Sequence, residues 1–346
     1  LFEVNGLTVG GDRCGSQSVQ GILSTQTDQI GSTLTMLANR DDARVVFSGS
    51  SSFFNILTAR GDDGVYVNAD VTTSGGSLFL DANIDDYWDD LSNRLQFTAG
   101  RKVTSKTVMT LEATLVSCAA CAAAGGTPPV IAPAGTLTLF AGAGIAIMDD
   151  TMGGDNAKPL VINSDYESHG DGTLTVVAAR TFDSNESTIT ITAWDIDMSG
   201  SLKAGTTATQ SAIIIHGSKV DQTLGLGKTA KNLTISDAEF GRMTATAGIT
   251  LMSSNTGSIT VDGIRDSSSD SIGTLTLKAT KAAKSITFIN FATEFQKGIV
   301  LQAAGGIVLS AAVTTKSGPD LIYAGTGTIT LATRQSLSTT GQHLSI

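Results

Sequence analysis

Asp85, Asp86, Asp89 and Asp90 put four carboxylates into six residues, with Tyr87 and Trp88 between them. Several carboxylates in one loop are what calcium coordination requires. The spacing is not that of an EF-hand, and no Gly-Gly-x-Gly-x-Asp nonapeptide occurs, so the plainer reading is a solvated acidic loop. Calcium is the one cofactor these residues could hold, and no metal site is assigned. Asp149, Asp150, Asp155, Asp195 and Asp197 read as turn residues.

Cys118 and Cys121 form a Cys-x-x-Cys in an Ala-rich stretch. There is no second pair for zinc and no helix-opening context for thioredoxin-like chemistry. A local disulfide is the expected state, with a link between chains as the alternative; Cys14 is left over. Asn185-Glu186-Ser187 and Asn232-Leu233-Thr234 are glycosylation acceptors if the chain is secreted. Asn232 should point outward, because Leu233 and Ile235 point in.

Catalysis would need more. A lyase-like site on a parallel β-helix groups Asp with Arg or Lys on one outer sheet. Here the basic residues are scattered, and His169, His216 and His343 lie far apart without carboxylates at a telling spacing. No catalytic residue is assigned and no enzyme is expected. The net charge of −10 argues against a nucleic-acid partner, since phosphate binding needs clustered Lys and Arg. No run of 18 apolar residues is present to span a membrane. The chain opens at Leu1 with neither initiator Met nor signal peptide, and reads as a piece of something longer.

The elements that position these residues are short and alike. Gly172-Thr173-Leu174-Thr175-Val176, Gly257-Ser258-Ile259-Thr260-Val261 and Gly273-Thr274-Leu275-Thr276-Leu277 are typical. Each is a Gly or polar residue followed by period-2 alternation, the mark of a half-buried strand. Ile, Leu and Val point in; Thr and Ser point out. The first apolar positions at Leu233, Ile249, Ile259, Leu275, Ile286 and Ile299 put alternate strands about two dozen residues apart, with no helix between. Hairpin dipeptides are rare, which disfavours antiparallel folds. The spacing therefore predicts a β-solenoid, each coil adding a rung to parallel sheets. Leu233, Ile235, Ile249, Leu251, Ile259, Val261, Leu275, Leu277, Ile286 and Phe288 should stack inward. Thr-x-Thr phrases such as Thr274/Thr276 and Thr188/Thr190/Thr192 would suit an ice-binding Thr ladder, but their irregular spacing favours ordinary outward-facing strand residues.

The chain also repeats itself. Residues 6–31 match 248–273 at an offset of 242 with 10 of 26 positions identical, and after one-residue slips the match continues through Gly318. Residues 1–346 thus read as one continuous solenoid of about one and a half 242-residue modules, 6–247 and 248–346. Residues 84–93 have no counterpart in the second copy and must leave the wall as a loop, as must 117–133. Tyr87 and Trp88, and the Cys118–Cys121 loop, are the expected lateral contacts of an assembly.

Gly-x-Leu-Thr-Leu and Gly-x-Ile-Thr-Val phrases in a tandem array resemble the right-handed parallel β-helices of filamentous-haemagglutinin-like adhesins. The run from Asn232 to Ala245, with 248–251 and 257–263 after it, resembles giant repetitive surface proteins of heterokont algae. The resemblance implies a secreted fibrous protein at the cell surface. The expectation is an all-β, right-handed solenoid rod with inserted loops, serving as a structural component of an extracellular filament or appendage. Its partners would be itself or homologous modules, and glycans. A filamentous adhesin stalk, or a glycan-acting or ice-binding β-helix, are the alternatives.

Overall fold

The computed structural model describes residues 4–85, 93–113, 130–151, 157–206, 208–252 and 257–346. The chain is all-β, and its sheets are parallel. Strands are three to nine residues long apart from a final two-residue one, and along them buried and half-exposed residues alternate, as in Leu137–Ala141 and Ile189–Ala193. Parallel sheets covered on both faces read as unbroken apolar runs. The alternation here means that one face is packed and the other meets water.

Successive strands fall on different sheets in rotation. Leu34–Ala38, Val45–Phe47 and Ser52–Phe54 lie on the first, second and third sheets, and so do Leu57–Gly61, Val65–Val67 and Val71–Thr73. Each strand pairs with its counterpart one round away, for example Leu34 with Leu57 and Val45 with Val65. The sequence spacing suggests two strands per round, but the structure has three. The inward and outward residues of Ser52–Phe54 and Val71–Thr73 do not differ in polarity as a period-2 signal requires.

Stacking like on like makes the core. Leu34, Leu57, Leu78, Met109, Ile145, Leu174 and Ile196 form one column, each beside the next in register. All ten residues expected to point inward are at most 2% exposed. Phe47 packs edge-on against Phe54, with ring centroids 6.1 Å apart.

The two copies of the repeat follow one itinerary. Gln17–Val19, the helical turn Ser24–Thr27 and Val45–Phe47 correspond to Ile259–Asp262, the 3-10 turn Asp266–Ser269 and Ile286–Phe288. Leu57–Gly61, Val65–Val67 and Val71–Thr73 correspond to Ile299–Ala303, Ile307–Leu309 and Val313–Ser317. Beyond the extra loop, Leu95 pairs with Val65 as Ile329 pairs with Ile307. The sheets themselves change roles. Those three strands occupy the first, second and third sheets in the first copy, but the third, fourth and fifth in the second. The changeover is at Met243–Leu251. Its first half pairs with Ser201–Ala204 and its second half with Ala212–Gly217, with a register shift between Ala245 and Gly248. One long strand there spans two shorter ones laid end to end.

The recurrent Gly has a local cause. Gly248, at the register shift within Met243–Leu251, and Gly306, just before Ile307–Leu309, have φ of 130° and 111°, which L side chains avoid. A Cβ on Gly248 would lie 2.1 Å from the Thr274 carbonyl oxygen. Gly6, its counterpart, has ordinary φ and would meet Thr33 at 3.4 Å. Gly248→Ala should therefore cost at least about 1–3 kcal/mol, and Gly6→Ala close to nothing; paired thermal melts read the contrast. Phe288→Ala, which empties a fully buried position, should cost about 3–5 kcal/mol in denaturant titration.

Candidate functional site

Most of the sequence-predicted site residues fall outside what the structure describes. Asp85 is exposed, while Asp86, Tyr87, Trp88, Asp89, Asp90, Asp155, Cys118 and Cys121 lie outside the described residues. Among the described residues no group of three or more His, Cys, Asp or Glu is placed to hold a metal ion. Asn232 is exposed beside buried Leu233 and Ile235, and its Oδ1 accepts from the Thr223 N–H and hydroxyl. Asn185 sits in a turn at φ 45°, its N–H donating to Asp183, while Ser187 of the same acceptor triplet is buried. Cys14 is a half-buried free thiol.

The closest approach to a titratable cluster is Lys106, Tyr166, Glu167 and His169. Lys106 bonds Glu167, and His169 Nδ1 lies 3.5 Å from the same carboxylate. The bond to Glu167 raises the Lys106 pKa, and the bond to Lys106 lowers that of Glu167. Both shifts hold the groups in their charged states, away from the range where a proton-transfer catalyst works. Burial lowers the His216 pKa. The cluster is an exposed ion pair.

The Asp residues read as turn formers have a different task. Asp195 and Asp197 lie within the strand Asp195–Met198, because outward strand positions accept polar side chains. Asp149 is buried and accepts from the Ala113 N–H, and Asp150 accepts from the Thr181 N–H. Asp195 accepts from Thr234 at 2.9 Å, Asp262 from Phe291 at 3.1 Å and Asp320 from Ile299 at 2.9 Å. Each carboxylate closes a backbone donor some 20 to 40 residues away in sequence. These are staples between neighbouring rounds, supplied where a strand ends and the ladder leaves N–H groups unpaired.

Two surfaces remain. The first is the pair of sheet edges. Leu7 and Val9 are each 43% exposed, whereas their second-copy counterparts Ile249 and Leu251 are each 1% exposed beneath Ala212–Gly217. At the other edge Ile329, Leu331 and Leu344 are 36%, 51% and 40% exposed, while Leu95, Phe97 and Met109 at the same module positions are fully buried. The same residues are core where another round covers them and surface where none does.

The second is the outer wall of the third sheet. Register places Thr138, Val161, Thr190, Ile214, Thr250, Thr276, Val300 and Leu321 in one outward column. The Thr phrases therefore do stack, here and as Thr8, Thr35 and Thr58 on the first sheet. Their irregular sequence spacing reflects unequal loops, so spacing was a poor guide to stacking. The first-sheet column is interrupted by Phe79, Ala146 and Asp197, and Arg60 and Asp81 stand beside it. A groove of about 660 Å3 runs along the third sheet where the long strand spans the two shorter ones, lined by Lys203, Thr206, Gln210, Thr246, Asp270 and Lys297 among others. Lys203 is bound to Asp183 at 2.7 Å and Thr206 to Glu186 at 2.9 Å, and no aromatic side chain lines the groove.

No family model matches the chain, and no significant match was found to a curated protein or to a solved structure.

Asp195 gives a test of the staples. Burial raises its pKa, against the opposing backbone bonds from Thr234 and Ile196. A carboxyl whose folded pKa is raised stabilises most when protonated, so that contribution is lost as the pH rises through the folded value. Asp195→Asn keeps an acceptor for Thr234 without the ionisation. It should melt no lower than wild type at neutral pH, and the gap should close as the pH falls through the folded pKa of Asp195. Asp195→Ala, lacking the acceptor, should lose about 1 kcal/mol throughout. Melts followed by circular dichroism across that range check all three.

Proposed function

We propose that the chain is a structural rod, a right-handed parallel β-solenoid that serves as a component of an extracellular filament or surface appendage. Right-handedness follows the general rule for crossovers between parallel strands. The observation that supports the assembly reading is the contrast between copies: identical module positions are buried under a further round in one and exposed at an edge in the other. Each round is thus completed by the rounds on either side of it, which suits an architecture that extends by adding rounds. Homologous rounds fit best, because their inward positions are mostly apolar and in the same register. Staples formed by Asp and a tandem module suit a protein whose task is length and stiffness.

In a parallel pair, alternate residues direct their backbone groups to opposite sides. Leu7 donates to Thr33 within the sheet, so Thr8 offers its N–H to the open edge. Thr8→Pro removes that donor and should shorten assemblies while leaving the melting temperature of the isolated chain within a few degrees. Negative-stain microscopy with length measurement checks this. Wild-type chain that stays as single short particles under every assembly condition, or filaments of unchanged length in the variant, would refute the reading.

A further inference from the structure

We infer that the outer wall of the third sheet is a lateral self-association face, and that its partner is the same face of a second copy of this chain. The inference deepens the filament reading by naming what a rod packs against sideways.

The wall is long, flat and nearly uncharged. The column from Val161 through Thr190, Ile214, Thr250 and Thr276 to Val300 holds only β-branched side chains, three aliphatic and three hydroxyl. All six are half-exposed. The next column over holds Asn163, Thr192, His216, Lys278 and Gln302, and Tyr323 above them is 61% exposed. Burial keeps His216 toward its neutral form, so Lys278 is the one charge among these positions. The wall ends below at Lys102, which sits beside Thr138, and its margin carries the charged groove of Lys203, Asp270 and Lys297. A centre poor in charge with a charged rim matches the depletion of charged residues at interface cores.

Charge decides the partner's identity. The chain carries 32 acidic residues against 22 basic ones, and that excess keeps copies apart wherever acids face each other. On this wall no acid stands in either column, so two copies can approach here without like-charge opposition. Against a strongly basic partner the wall would have no carboxylate to offer. Area is also sufficient. Eight strands at about 4.8 Å give about 34 Å, and five residues across give about 17 Å. The resulting face of roughly 600 Å2 approaches the roughly 800 Å2 per partner of standard interfaces. Sheets packed face to face interdigitate such side chains about 10 Å apart. A self-complementary patch pairs isologously about a two-fold axis. The change of sheet roles between copies builds this wall: third strands of first-copy rounds and first strands of second-copy rounds share it.

The test is analytical ultracentrifugation of the whole chain across concentration, with particle widths from negative stain. Wild type should form side-by-side pairs. Ile214→Lys with Val300→Lys, both outward and half-exposed, should weaken pairing at least about tenfold by placing unpaired charge in the interface. The same charge change on the first sheet, Thr35→Lys with Thr58→Lys, should leave pairing intact. In a chain whose Cys14, Cys118 and Cys121 are Ser, Thr250→Cys should give an oxidised dimer and Thr35→Cys none, a readout that survives if the Lys variant misfolds. Unpaired wild type at all concentrations, equal loss in both Lys variants, or equal cross-linking at both Cys positions would each overturn the inference. Width reports the lateral face and length reports the edges, so either reading can fail alone.

Discussion

Parallel register is the constraint on which everything else rests. Among the described residues every strand pairing is parallel, and apart from Leu224–Gly227 with Leu233–Ile235 the partners lie one round before and one round after. Neither hydrogen bonds nor apolar side chains are complete within a round. The column Leu34, Leu57, Leu78 is core only because each member has another above and below. Cooperativity of this kind is nearest-neighbour, and it has no natural end inside the module.

The other recurring features serve that stacking. Gly lets the backbone take a positive φ where a Cβ would strike the next round, as at Gly248. Asp residues at strand ends bond N–H groups that the ladder leaves over, as Asp195 does for Thr234 and Asp320 for Ile299. Ionised groups with resolved shifts at the surface, such as Glu167 and Asp221, are held charged by lysines. That pattern is one of structural ion pairing.

A protein built this way has two kinds of surface, edges and walls, and the two differ in what they recognise. Edges select backbone geometry and an inward aliphatic, so they favour homologous rounds. Walls select outward columns, and the third sheet's is the longest of those without a carboxylate. Length and thickness of an assembly are thereby set by different residues.

Much of the fold was legible locally. Period-2 alternation placed Leu233, Ile249, Leu275 and Ile286 inward, and all four are buried. Correspondence of 6–31 with 248–273 marked a repeat whose strands do run in the same order. Side-chain direction and repeat identity are short-range or copy-to-copy properties, which a single sequence carries. The tertiary structure alone decided three things. It set three strands per round instead of two, because the inward and outward residues of Ser52–Phe54 and Val71–Thr73 do not differ in polarity as a period-2 pattern requires. It turned Asp195 from an expected turn residue into a strand residue bonding a donor 39 positions away. It aligned Val161, Thr190, Ile214 and Thr250 into a wall. Columns depend on the number of residues each loop consumes between rounds, and loop path is fixed by packing against the neighbouring round, which no local pattern encodes.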